Sequence, residues 1–210
     1  MRIHLIRSIL AAFSAAVALC LTLGASPGVA QNMQGIGVRG IVVSLEGSML
    51  TLKTREGTDA TIKLADNPRV VSMVKASIAD IKPGVYIGTS SVPRQGSTSR
   101  ALEIHILPEA LRGAGEGDYP WDLAPGSSMT NGTVNSPVES VDGLTITVSY
   151  KGGERKVTIQ PDTAVVTYGP ADKSDIKPGV PVFVFARKQA DATLTAGFVT
   201  VGKNGVAPPM

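Results

Sequence analysis

The chain has 210 residues, with 20 Lys and Arg against 17 Asp and Glu, two histidines and one cysteine. So near-balanced a charge offers no basic field suited to nucleic acid, and one cysteine allows no disulfide framework.

Arg2 and Arg7 precede an uncharged stretch from Ser8 through Ala30, apolar from Ile9 to Leu23, and then come Gly24, Pro27 and the small-residue site Gly28-Val29-Ala30. A basic start, a short apolar core and small residues at the cut make a secretory signal peptide. Residues 1–30 are expected to be removed, leaving Gln31 first and the periplasm as the destination. An uncleaved anchor would need about 20 apolar residues, and Gly24 and Pro27 interrupt that run. Leu19, before Cys20, is not the small residue that a lipid-anchoring signal requires. Without Arg2 and Arg7, eighteen bases face seventeen acids, a net charge of +1. The exported chain, about 180 residues, suffices for one or two domains, and after Ala30 it has no cysteine and no segment apolar enough to span a membrane.

Gly37 to Leu45 runs into a turn at Glu46-Gly47, and Met49 to Lys53 leaves it, alternating on both arms as a hairpin does. A second turn at Arg55 to Asp59 leads to the strand Ala60 to Leu64; Asn67-Pro68 is expected to break it before a short strand, Arg69 to Ser72. Lys75 to Asp80 fits one helical turn. In Asp80-Ile81-Lys82-Pro83-Gly84-Val85, Pro83 presets the first central φ of a type II turn and Gly84 supplies the positive second. Asp80 can accept hydrogen bonds from nearby backbone, and Ile81 can plug a barrel end. Strands Val85 to Val92 and Ala101 to Leu107 close the unit, the segment Arg94 to Arg100 between them reading as a hairpin tip. A Gly- and Pro-rich linker follows and carries the single tryptophan, Trp121. Beyond it come Thr133-Val134, Leu144 to Tyr150, Arg155 to Ile159, Ala164 to Tyr168, Val182 to Lys188 and Leu194 to Val201, then a tail ending Pro208-Pro209-Met210.

The second run of strands repeats the first. Asp80-Ile81-Lys82-Pro83-Gly84-Val85 recurs as Asp175-Ile176-Lys177-Pro178-Gly179-Val180, an offset of 95 that also maps Val70-Val71-Ser72 onto Val165-Val166-Thr167 and Ile104 onto Val199. Five or six short strands per copy, with regular turns, imply an all-β protein of two tandem small OB-like β-barrels, with β-sandwich units as the alternative. The expected division is a signal peptide (1–30), a first barrel (31–108), a linker (109–130), a second barrel (131–205) and a disordered tail (206–210).

The stretch Lys75 to Gly84, the strand Ala101-Leu102-Glu103-Ile104-His105-Ile106, the linker motif Pro120-Trp121-Asp122-Leu123 and Lys188-Gln189-Ala190-Asp191 resemble a family of secreted alphaproteobacterial, especially rhizobial, proteins with a duplicated OB-like barrel of unknown function. The resemblance spans nearly the whole exported chain and implies that fold and export. Some of those proteins carry the label of a metal ABC transporter permease. A permease needs several membrane spans, which this exported chain lacks, but the label keeps metal association open.

After Ala30 the only histidine is His105, so Cys/His zinc spacing is excluded within one chain. There is no Gly-x-Ser-x-Gly elbow, Walker A loop or dinucleotide fingerprint. On the strand Ala101 to Leu107, Glu103 and His105 share a face and could supply two ligands to a divalent metal or an acid–base pair, with Glu109, Glu116, Asp118 and Asp122 near enough in sequence to complete a site. The alternative is an exposed polar strand face. In the second copy these positions are Phe198 and Thr200. Tyr119, Trp121 and Asp122 form the candidate ligand-binding cluster, able to stack on sugar rings or a partner surface; the alternative is that Trp121 staples the linker to a barrel. The expectation is a non-enzymatic periplasmic binding or adaptor protein whose partner is an envelope protein or glycan. A metal-associated protein and a hydrolase with an unrecognised site are the alternatives. No cofactor is expected beyond a divalent metal at Glu103 and His105.

Overall fold

Alternation sets the strands. On β2 (Met49–Thr54), Leu50 and Leu52 are buried while Met49 and Lys53 are exposed, and Gly47, at φ 61, turns β1 (Gly35–Glu46) into it. The computed structural model describes residues 35–94, 96–140 and 143–209; the expected signal peptide, 1–30, lies outside them. The remaining strands are β3 (Asp59–Lys75), β4 (Tyr86–Pro93), β5 (Thr98–Ile106), β6 (Gly117–Pro120), β7 (Ser128–Ser140), β8 (Gly143–Tyr150), β9 (Gly153–Ile159), β10 (Ala164–Pro170), β11 (Pro181–Lys188) and β12 (Leu194–Gly202). Three short 3₁₀ turns, Ile78–Asp80, Glu109–Leu111 and Lys173–Asp175, are the helical elements among the described residues. None is long and apolar enough to cross a membrane.

The strands close into two five-stranded rings with OB-like order. In the first, β1 pairs with β2, β2 with β3, β3 with β12 in parallel, β12 with β11, and β11 with β1. In the second, β7 pairs with β8, β8 with β9, β9 with β5 in parallel, β5 with β4, and β4 with β7. Closure leaves few free strand edges.

This pairing corrects the expected division of one barrel per copy. Each ring takes three strands from one copy and two from the other. The cores are mixed accordingly: Leu50, Leu52, Ile62 and Leu64 pack with Val182, Val184, Val199 and Val201, while Ile87, Ala101 and Ile104 pack with Ile146, Val148, Val157 and Ile159. The exchange is made by β3. Asn67-Pro68, expected to end that strand, is absorbed as an irregularity: the register steps from Leu64 opposite Ala196 to Arg69 opposite Phe198, so residues 65–68 face Gly197 alone. β3 therefore runs on instead of folding back, and Val71 to Lys75 pairs antiparallel with Val166 to Pro170 of β10. At the centre Met73 opposes Tyr168, its counterpart at the offset of 95. A strand meeting its own equivalent in antiparallel register is what a two-fold axis imposes.

The repeated Pro-Gly turns are as expected: Gly84 and Gly179 both have φ 86. Asp80 accepts from the Ser77 N–H and Asp175 from the Asp172 N–H, each closing a capping box. Ile81 and Ile176 plug the second and first rings respectively. The tail differs from expectation. Val206 packs against the cluster of Met73, Val166 and Phe183, and Pro208 is buried; the rigid φ of Pro208 and Pro209 suits a docked segment.

Candidate functional site

On β5 Ile104 points into the second core, so alternation sends Glu103 and His105 to the other face. That face is not exposed. Glu103 is 1% and His105 4% exposed, which overturns the solvated-face alternative. Glu103 lies opposite Ser90, and His105 opposite Gly88, which itself faces Asn131 of β7. Gly88 makes the room: a Cβ there would stand 2.0 Å from His105 Nε2 and 2.3 Å from Asn131 Oδ1. Tyr168 meets the imidazole edge-on at 6.4 Å. Its phenol is pushed well above the usual tyrosine range, first by burial and then by the charge of Glu103.

The Glu103 Oε1 to His105 Nδ1 distance is 3.6 Å, an ion pair only when the imidazole is protonated and too long for a hydrogen bond. Neither Glu103 oxygen, nor His105 Nδ1, nor Asn131 Oδ1 has a hydrogen-bond partner. The acids that the sequence offered as further ligands are engaged elsewhere. Glu109 binds Arg112, Glu116 accepts from the Lys151 N–H, Asp118 pairs with Arg155 and Thr130, and Asp122 pairs with Arg39. Among the described residues no group of three His, Cys, Asp or Glu comes together. Glu103 and His105 thus form a two-ligand set, short of the four a structural zinc takes.

The aromatic cluster divides. Arg39 donates to both oxygens of Asp122, at 3.1 and 3.0 Å, and its guanidinium lies 5.8 Å from the Trp121 ring and 5.0 Å from that of Phe183. The segment after β6 is thereby pinned to the first ring. Tyr119 meets the Trp121 ring edge-on at 6.2 Å but turns its hydroxyl to the second ring, where it accepts from Asn131 Nδ2 at 2.8 Å. Burial raises its pKa, the Asn131 bond opposing. Trp121 and Asp122 line a cleft of about 470 Å³ with Pro120, Ile36 and Phe185; Tyr119 does not reach it.

Sequence reasoning missed a larger cleft of about 800 Å³ on the first ring. Its floor is Leu64 and Ala196, and its walls carry Lys63, Asp66, Phe185, Arg187 and Phe198. The irregularity that lets β3 run on also creates it, since residues 65–68 bow away opposite Gly197. A Cβ at Gly197 would meet nothing within 4 Å. In the second ring β5 likewise passes from β9 to β10, but Leu102 occupies the place of Gly197. That glycine-for-leucine difference between the copies, and Phe198 in place of Glu103, were the signals available in the sequence.

This architecture defines a class: an all-β chain of two OB-like rings that exchange strands. Compared with protein-family models, curated proteins and solved structures, the chain matches none.

Proposed function

We propose that the chain is an exported, non-enzymatic binding or adaptor module of the periplasm, and that its ligand lies in the cleft of the first ring. The observation that carries this reading is the asymmetry between the copies. Both rings have the same strand order, yet a glycine opens the wall of the first at the position where Leu102 stands in the second. OB-like barrels commonly bind through one sheet face and its flanking loops, and Phe185, 42% exposed at this opening, is an apolar ring left in water.

The test is amide NMR of the exported chain, titrated with envelope-type oligosaccharides and short peptides. Shifts confined to Arg187, Thr195, Gly197 and their neighbours, absent in Gly197→Leu, are the expected result. Ligands that move only residues outside the cleft would overturn the assignment.

A further inference from the structure

Resting on that reading, we infer that the cleft takes an anionic sugar chain of the uronate type. The cleft joins three kinds of group that such a ligand needs and that a neutral or purely apolar ligand would leave unused. The first is aromatic surface: Phe185 on β11 and Phe198 on β12 offer rings to the C–H faces of pyranoses. The second is positive charge. Lys63 and Arg187 line the cleft, and Arg69 lies over Phe198 at 6.0 Å; none of the three forms an ion pair among the described residues. A planar guanidinium such as Arg187 matches a carboxylate with two parallel bonds. The third is neutral and acceptor chemistry for hydroxyls: Asp66 and Thr195 at the rim, and strand backbone at Gly197, where the ladder with β3 is interrupted.

The size fits a short run of sugar rings. An acidic peptide would use the cations equally well, but it has no ring hydroxyls to donate to Asp66 or to meet Thr195. None of these groups is repeated in the second ring. Thr158, Ser90, Val92 and Glu103 stand at the positions of Lys63, Phe185, Arg187 and Phe198, so the chemistry belongs to the first ring and not to the barrel as such.

The test is calorimetric titration of the exported chain with oligogalacturonate, a neutral glucose oligosaccharide of equal length and a glutamate-rich peptide. Wild type is compared with Arg187→Ala, Phe185→Ala and Gly197→Leu, each first shown to unfold with a wild-type transition. Oligogalacturonate is expected to bind, about tenfold more weakly in Arg187→Ala, not at all in Gly197→Leu, and more weakly as salt rises. Equal binding of the neutral sugar would overturn the anionic assignment. Binding of the glutamate-rich peptide in place of the uronate would overturn the sugar assignment while leaving a ligand-binding cleft. Uronate binding that persists in Gly197→Leu would place the site outside the cleft and overturn both this inference and the cleft reading, whereas no heat with any of the three probes would overturn the uronate assignment alone.

Discussion

Glu103 is the residue whose position most needs a physical account. A carboxylate buried without a donor is among the most expensive groups a fold can hold, and both its oxygens are in that state. Glu103→Gln keeps the shape and removes the acid, so it is expected to raise stability by about 1–3 kcal/mol in urea unfolding; a loss would show that the fold uses the carboxyl group. Tyr168 gives a second expectation. Burial raises the pKa of Tyr168 and Tyr119, and of Tyr86 with help from Glu116. The unfolded chain ionises its tyrosines near pH 10 while the folded one holds its protons longer, so stability is fully present below about pH 10 and falls as pH rises through the folded values. Tyr168→Phe should flatten that fall in a series of melts between neutral and alkaline pH. An unchanged slope would place the titration elsewhere.

At the scale of the strand, two glycines fix how β1 and β7 pass from one neighbour to the next. A Cβ at Gly40 would lie 2.4 Å from the Lys53 carbonyl oxygen, and one at Gly132 2.3 Å from that of Ser149. Backbone cannot yield as a flexible side chain does, so Gly40→Ala and Gly132→Ala should each destabilise by about 3 kcal/mol. Gly197→Ala, opening on empty space, should leave the denaturation midpoint near wild type. Equal effects at all three positions would mean that the strands shift more freely than this packing implies. The sequence located the hairpin at Glu46-Gly47, the turns at Pro83-Gly84 and Pro178-Gly179 and the plug Ile81, because each is set by residues within a few positions. It misplaced the end of β3, because whether a Pro breaks a strand depends on the neighbour: opposite the Gly197 gap its missing N–H is not needed.

For the whole molecule, strand exchange means that neither copy holds a complete ring. Cutting the chain within Gly113-Ala114-Gly115 should therefore leave the two pieces associated one to one, eluting as a single particle and unfolding in one transition. The first copy expressed alone should not fold as a monomer; a stable monomeric half would show that each copy can close its own barrel. The same exchange explains the burial of Glu103 and His105. They lie on the outer side of the second ring, where the crossing strand β10 brings Tyr168 over them.

The sequence by itself determined that the chain is all-β, where its tight turns and most of its strands lie, and that Glu103 and His105 share a face, since periodicity and turn chemistry are local; β6 and the start of β7, expected as linker, and the run of β3 past Pro68 are set by their partner strands. Only the tertiary structure decided which strands complete which ring. β4 and β5 take in the second ring the places that β11 and β12 take in the first, and the hairpin signals within each pair carry no information on which ring it completes. Closure decides it, through a β3 that runs straight on past Pro68 and meets its own counterpart across an approximate two-fold. The open cleft beside Gly197 and the covered face around Glu103 both follow from that path, which no short window of residues encodes.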